Sequence, residues 1–232
     1  MVALTVILLI AGFILLDLGI RYVLKPQTAE ALSAASARIA NAADELLSDF
    51  LMPLGYFFHP GHTWARIQER GEILVGADDF AQKTLGSIDN IALPEVGQEI
   101  SYNSPAFQLF QGGKQATFMA PVSGTVVEVN QDLVESPQMM NEQPYGTGWV
   151  MKIKPTSAAE EIKSLFIADP AVLWLKKEIH SFRDFLSEIA GQKSELGMTL
   201  ADGGVPVSGV MQSFGAGEWE EFQERFLSVK AE

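Results

Sequence analysis

The chain has 232 residues, of which 47% are hydrophobic and 19% charged, so it can bury the core of one or two domains and is not a disordered polyelectrolyte. Its 29 acidic residues outnumber its 16 basic ones, and no segment is basic enough to cover a phosphate backbone, which excludes nucleic-acid binding. Without cysteine the chain has no disulfide or thiolate chemistry, and three histidines make a multi-histidine metal centre improbable.

The N-terminus is strongly apolar. An apolar run extends from Val2 to Leu24 and is interrupted by Asp17. Its 23 residues, as a helix of about 34 Å, are enough to cross a hydrocarbon core. We therefore predict a transmembrane helix over residues 1–25 that anchors the protein in the membrane. A cleaved signal peptide is the alternative, supported by small residues at 31–37, but the run is long for one and no basic region precedes it.

Basic residues follow the predicted span. Because Arg21 and Lys25 lie at the C-terminal end of this span and Arg38 follows it, the positive-inside rule predicts a single-pass protein of the inner (cytoplasmic) membrane with its body in the cytoplasm. Asp17 has two interpretations. It either makes a polar contact to a partner helix or serves a proton path, or it lies near the headgroups and pairs with Arg21 one turn on. The first interpretation makes Asp17 an interaction candidate.

Residues 26–58 are predicted to form a juxtamembrane helix or linker. The stretch 27–51 is rich in alanine, contains no glycine or proline, and has leucine and isoleucine near helical spacing. Pro26 separates it from the apolar run, and we expect the helix to end before Pro53.

Residues 59–155 have the pattern of a β domain, with turn signals every eight to twelve residues between short β-rich runs. One helix is predicted here, with acidic residues at its start near Asp78 and Gly86 as its terminator. This composition favours a small β-sandwich or flattened barrel. The predicted strands are Thr63–Ile67, Ile73–Gly76, Thr125–Val129 and Trp149–Lys154.

A series of sequence blocks in this domain occurs in a recognisable order. They are His62–Ala65, Val75–Gln82, Leu85–Gly86, Leu93–Gly97, Ala120–Gly124, Val127–Asn130, Asn141–Trp149 and Lys152–Pro155. Together they resemble the glycine cleavage system H protein. The resemblance implies a lipoyl-type β-sandwich (a barrel-sandwich hybrid) in which a hairpin displays a lysine that carries lipoic acid. In the family, that arm carries aminomethyl groups between the cleavage enzymes.

The hairpin departs from the family pattern. The family's lysine lies eight positions before the proline that corresponds to Pro121, and Gly113 occupies that position here. Two consecutive glycines suit a type I′ turn, so we predict Gly112 and Gly113 at the tip and Lys114 at the start of the returning strand. A displacement of one residue turns the lysine to the other face. We therefore expect no cofactor, with lipoate on Lys114 as the alternative, and the two glycines as a contact surface.

Two histidines lie close to acidic residues in the sequence. His59 and His62 with Asp78 or Asp79 would make an incomplete metal site, because there is no third nitrogen ligand and no helix to fix the spacing. We therefore predict packing roles for both histidines and no metal.

Residues 156–232 are predicted to form a helical C-terminal extension with amphipathic helices. Asp169 and Pro170 are a cap and a first helical residue, and Gly191 ends the helix. Its apolar residues follow each other at spacings of three and four, as in a heptad seam. The seam is Val172, Leu175, Ile179, Phe182, Leu186 and Ile189.

After a glycine-rich stretch at 197–217, Trp219, Phe222 and Phe226 lie on one face of a short acidic helix. This face and the seam either cover the β domain or bind another protein, and the sequence does not decide between them. The interaction candidates in this region are Ile179, Phe182, Trp219 and Phe222.

The sequence thus predicts a mainly β protein with helical extensions that is not itself an enzyme. It has no nucleophile–base set and no dinucleotide fingerprint. Our first hypothesis is a non-catalytic, membrane-anchored subunit that binds or scaffolds other proteins of a membrane complex. The alternative is a membrane-tethered lipoyl carrier modified on Lys114.

Overall fold

The computed structural model describes residues 50–192 and 208–229, and all of these belong to one compact unit. The predicted anchor over residues 1–25, Asp17 and most of the predicted juxtamembrane helix lie outside the described residues. Among the described helices, none is both long enough and apolar enough to cross a membrane.

Two antiparallel sheets make up the β part of the protein. The strands of the described residues are β1 (Phe57–Phe58), β2 (Thr63–Ile67), β3 (Ile73–Ala77), β4 (Asn90–Ala92), β5 (Glu99–Ile100), β6 (Pro105–Gln111), β7 (Lys114–Met119), β8 (Gly124–Val129) and β9 (Met151–Pro155). The larger sheet has the order β1-β2-β3-β9-β8-β5, and the smaller one has the order β4-β6-β7. The mainly β architecture with helical additions is confirmed.

The predicted strands recur with small shifts. β2 and β3 pair in the predicted hairpin, β8 contains the predicted Thr125–Val129, and β9 overlaps the predicted Trp149–Lys154. Three strands of two or three residues, β1, β4 and β5, were not predicted. Such short strands carry no periodic pattern, and their pairing partners alone define them.

Helices surround the two sheets. They are α1 (Asp79–Leu85), α2 (Asp132–Glu135), α3 (Met139–Glu142), α4 (Ala158–Glu161), α5 (Ala168–Gln192) and α6 (Ala216–Phe222). Short 3-10 turns occupy Ile162–Ser164 and Val210–Ser213, and a π-helical turn, Gln223–Leu227, follows α6.

Helix α1 has the predicted ends. The Asp78 carboxylate accepts a hydrogen bond of 2.9 Å from the Ala81 N–H, which is the usual N-cap contact. Gly86 follows the helix with a φ of 80° and donates its N–H to the Gln82 carbonyl. Both signals were therefore visible in the sequence, because helix caps are local interactions.

Helix α5 packs against the β part of the same chain. The Phe182 ring lies 5.5 Å from that of Phe80 on α1, and the Trp174 ring lies 6.5 Å from that of Phe58 on β1. Trp174 and Phe185 are buried together with the predicted seam from Leu175 onward, whereas Val172 is half-buried, so the apolar stripe is wider than a heptad seam. This width is typical of a helix in a globular core.

The C-terminal aromatic residues complete this core. The Phe222 and Phe226 rings lie 5.7 and 5.5 Å from Phe182. Of the two alternatives for these faces, the structure shows packing on the protein's own core. The predicted boundaries at 58/59 and 155/156 divide residues that share this core, and as functional boundaries they stay predictions.

We predict that Ile179→Asp destabilises the protein by roughly 3–5 kcal/mol, because it places an unpaired carboxylate in the core, where Ile179 is 1% exposed. Leu173→Asp is the matched control on the same helix, since Leu173 is 61% exposed and the same change should cost less than about 0.5 kcal/mol. Urea denaturation measures both free energies of unfolding. Equal effects of the two substitutions would contradict the packing of α5.

Candidate functional site: the glycine hairpin and its cover

The hairpin between β6 and β7 has the predicted turn. Gln111 and Lys114 form its last strand pair, and Gly112 and Gly113 between them have φ values of 56° and 77°. Positive φ at both central residues is what a type I′ turn requires. The Gly112 N–H donates to the Asp89 carboxylate at 2.6 Å, so the tip is tied to the chain before β4.

The open side of the tip is at Gly113. A Cβ atom added there would meet no other atom within 4 Å. A lysine at this position would therefore point into free space. Lys114 instead begins β7, and its side chain runs back along the protein surface.

The Lys114 ammonium group is bound by the C-terminal part of the chain. Its Nζ donates to the carbonyl oxygens of Met211, Gln212 and Phe214 at 3.1, 3.2 and 2.9 Å. It also lies 4.7 Å from the centre of the Trp219 ring, a cation–π contact. An ammonium has three donors, so these carbonyls satisfy it completely. Burial lowers the pKa of Lys114, and the charge of Glu218 opposes that shift.

The three carbonyls belong to the end of a 3-10 turn, Val210–Ser213, and to Phe214, its C-cap. Carbonyls at a helical C-terminus have no partner within the helix and carry partial negative charge, which a cation stabilises. Residues 209–223, which we call the C-terminal cover, therefore supply a site suited to a positive charge.

The cover also binds the outer edge of β7. The Gln223 side chain accepts a hydrogen bond from the Thr117 N–H at 2.7 Å and donates to the Thr117 carbonyl at 2.9 Å. The Trp219 indole N–H donates to the Gln115 carbonyl at 2.6 Å. β7 is the last strand of the smaller sheet, so these side chains occupy positions that a neighbouring strand would fill.

The start of the cover is fixed on the end of α1. The Gly209 N–H donates to the Lys83 carbonyl at 2.6 Å, and the Gln212 amide donates to the Ser87 hydroxyl at 3.0 Å. Gly86 has no room for a side chain, because an added Cβ would lie 2.6 Å from the Gly209 Cα. The cover thus contacts α1 and β7 together.

The hairpin does not fit a lipoyl group as the family holds it. The tip position has no amine, and the adjacent Lys114 has all three donors occupied. An amide of Nζ retains one N–H, so it cannot bind three carbonyls.

A second cluster lies beneath α5. His62 Nδ1 lies 2.7 Å from the Asp78 carboxylate, and Nε2 lies 3.8 Å from Glu178 on α5, too far for a hydrogen bond. The ring stacks on Phe80 at 4.3 Å and lies 5.0 Å from Trp174. Burial lowers the pKa of His62, but the charges of Asp78 and Glu178 outweigh it and raise the pKa to about 9. His62 is therefore a buried imidazolium.

His59 has the opposite electrostatics. Its Nδ1 accepts from the Gly61 N–H at 3.0 Å, so Nε2 carries the proton and donates to the Asn103 side-chain oxygen at 2.6 Å. Burial lowers its pKa to about 4, which keeps the ring neutral. Within 50–192 and 208–229, no group of three or more histidine or acidic side chains is placed to hold a metal.

Sequence reasoning missed the role of the cover. Gln223 and the carbonyls of 211–214 form contacts across about a hundred positions of the chain, and neither glutamine nor a backbone carbonyl stands out in a sequence. The one available signal was the Trp219 face, which predicted a contact surface without its partner. Of the predicted site residues, the structure brings Lys114 and Trp219 together, and it places Ile179, Phe182 and Phe222 in the core.

Comparisons with known proteins cover the β part and the start of α5. The family model described as “Glycine cleavage H-protein” matches residues 56–178. A probable glycine cleavage system H protein of Pyrococcus horikoshii is 39% identical over 130 residues, which are 56% of this chain and 96% of that protein. The H protein of Carboxydothermus hydrogenoformans is 48% identical over 101 residues, 43% of this chain and 75% of that protein.

A crystal structure of a glycine cleavage system H protein from Mycobacterium marinum is similar to this chain with a TM-score of 0.43 and 28% identity. The similarity covers 48% of this chain and 97% of that one. Residues 179–232, which include the cover, lie beyond the family match.

The predicted localisation is wrong. We predicted a single-pass protein of the inner (cytoplasmic) membrane with a cytoplasmic body. The relatives that match over most of their length are glycine cleavage system H proteins, and no described helix is long and apolar enough to cross a membrane. The longest described helix, α5, has 25 residues but is amphipathic, since charged side chains follow its exposed face.

We predict that the free energy of unfolding decreases as the pH rises from about 6.5 to above 9. The folded pKa of His62, about 9, exceeds its unfolded value, so its stabilisation is complete below pH 6.5 and is lost through pH 9. The loss amounts to about 3 kcal/mol. Urea titrations across this range should show a smaller decrease for Glu178→Gln.

The matched control for this pH dependence is His180→Gln. The His180 side chain is 77% exposed on the same helix, so its removal should leave the pH dependence unchanged. A wild-type stability that stays constant between pH 6.5 and 9 would contradict the buried imidazolium.

Proposed function

Since this chain belongs to the glycine cleavage H-protein family, we propose that it is a non-catalytic subunit that binds partner proteins through the H-protein fold and carries no lipoyl arm. The observation that carries the proposal is the binding of the Lys114 ammonium by three carbonyls and the Trp219 ring. A carrier lysine must present a free amine to the ligase and later move with its arm. Lys114 instead holds two parts of its own chain together.

The buried groups support a non-catalytic role. His62 and His59 are both fully buried, and each is held by a neighbouring side chain, Asp78 or Asn103. A general acid or base must reach the substrate within hydrogen-bond distance. Both histidines instead stabilise the packing of the chain around them.

The hairpin tip is the partner contact that we propose. Gly112 and Gly113 leave the backbone exposed, and the bond from the Gly112 N–H to Asp89 restricts its motion. A rigid turn without side chains allows another backbone to approach closely. The partners are other protein subunits of an assembly, and Asp17, outside the described residues, stays a candidate contact.

The second candidate function is a lipoyl carrier modified on Lys114. Family membership favours it, because the family presents its lipoyl lysine on this hairpin and Lys114 is adjacent to the tip. The carrier function requires the ammonium to leave its three carbonyls and lose a proton before modification. The two candidates therefore differ in one measurable property, the mass of residue 114.

We predict that the protein purified from its native host, or co-expressed with a lipoyl ligase and lipoate, is unmodified at Lys114. Intact mass and peptide mapping provide the measurement. Gly113→Lys restores the family's register in open space and should gain a lipoyl adduct on residue 113. The positive φ at this position costs a side chain roughly 1 kcal/mol, which the hairpin tolerates.

Gly112→Lys is the matched control, one residue too early, and should remain unmodified. This pair of variants tests the register, because both carry a new lysine in the same turn. A stoichiometric lipoyl adduct on Lys114 of the wild-type protein would overturn the proposed function and establish the carrier.

A further inference from the structure

We propose that the C-terminal cover, residues 209–223, is an autoinhibitory contact that excludes acylating enzymes from Lys114, and that the positive charge of Lys114 holds it closed. The proposal rests on the proposed function, in which Lys114 is not a carrier residue. It concerns a part of the chain that lies beyond the family match at residues 56–178.

The C-terminal cover limits access to the Lys114 amine. An acylating enzyme must bring an activated acyl group, such as an acyl adenylate or thioester, to the amine. Here Nζ is surrounded by the carbonyls of Met211, Gln212 and Phe214 and by the Trp219 ring. Met211 and Phe214 are themselves buried, so this side of the cover is packed against the protein. The amine is released from these contacts only when the cover moves away.

The protonation state of the Lys114 amine also opposes acylation. Acylation requires a neutral amine, whose lone pair attacks the acyl carbon. The new N–C bond forms as the leaving group departs with its electron pair, and the amine proton passes to solvent. A lysine that donates three hydrogen bonds to carbonyls has no free lone pair. Opening of the cover must therefore precede the reaction.

Acylation of Lys114 also affects the cover in return. An acylated lysine is uncharged and has one N–H, so at most one of the three carbonyls keeps its partner, and the cation–π contact is lost. Two of the three carbonyls would then lose the hydrogen bond that Nζ donates to them. Acylation of Lys114 and closure of the cover thus exclude each other, which makes the cover sensitive to the charge of residue 114.

The part of the cover that moves is residues 210–214. Phe222 and Phe226 anchor the end of the cover in the core, whereas Gly209 and Gly215 flank the carbonyl-bearing residues 210–214. Glycine allows the backbone to rotate at both ends of this segment, and opening breaks the Gly209–Lys83 hydrogen bond while the aromatic anchors stay in place. We therefore expect local opening without unfolding of the β part.

The test uses the unmodified full-length protein and N-hydroxysuccinimidyl acetate, a small acylating probe, at mildly alkaline pH. Peptide mass spectrometry follows each lysine with time. Lys114 should react at least about tenfold more slowly than Lys154, because it reacts only from the locally open state. Lys154 is the reference, since it is exposed on β9. Equal rates of the two lysines in the wild-type protein would overturn the proposal.

Variants of the cover provide the second arm. Trp219→Leu combined with Gln223→Met removes the cation–π contact and all three hydrogen bonds to β7, and should raise the Lys114 rate toward that of Lys154. Glu220→Gln, an exposed change on the same helix, should not. An unchanged Lys114 rate in the double variant would contradict the role of the cover. The wild-type comparison of the two lysines stands even if the double variant unfolds.

The reciprocal arm tests the charge. Lys114→Gln imitates an acylated lysine and should accelerate amide hydrogen exchange across residues 209–214. Lys114→Arg keeps the charge, so its exchange should be accelerated less than that of Lys114→Gln. Unchanged exchange in Lys114→Gln would overturn the coupling. A lipoyl adduct on native Lys114 would instead overturn the proposed function, and the probe rates measured on unmodified protein would still decide whether the cover protects this amine.

Discussion

The arrangement of this molecule around its hairpin depends on the binding of one ammonium group by the end of a 3-10 turn. Lys114 reaches that position because Gly112 and Gly113 form the turn and place the lysine at the start of β7. From there its charge meets the carbonyls of residues 211–214. Gln223 and Trp219 contact β7 next to it. The position of the turn thus makes this lysine a tie between β7 and the C-terminal cover.

A second charge fixes the helix above the sheets. His62 is a buried imidazolium between Phe80 and Trp174, with Asp78 on one nitrogen and Glu178 of α5 near the other. Because Asp78 is also the N-cap of α1, one carboxylate positions two helices. The protein therefore places a cationic side chain at two of its contacts between helical and β segments, His62 beneath α5 and Lys114 beneath the cover. The core around them is mostly made of aromatic and aliphatic side chains.

Local signals in the sequence predicted local structure. The ends of α1, the β2–β3 hairpin and the type I′ turn each depend on neighbouring residues, and each was predicted from the amino-acid sequence. The cover was not, because Lys114 and Met211 meet only in the folded chain. The heptad spacing also predicted too narrow an apolar face for α5, because it did not include Trp174 and Phe185. Hydropathy was the weakest guide, for the apolar run at 2–24 led to a localisation that the relatives contradict.

The side-chain amide of Gln223 has a consequence for the behaviour of the protein at high concentration. It occupies both backbone groups of Thr117 on an outermost strand, as a strand of another molecule would. A chain that ended before this residue would expose an unpaired row of N–H and C=O groups, the template from which sheets of different molecules join edge to edge. The C-terminal residues up to Gln223 therefore keep the protein soluble at high concentration. Removing them favours fibrous or oligomeric aggregates.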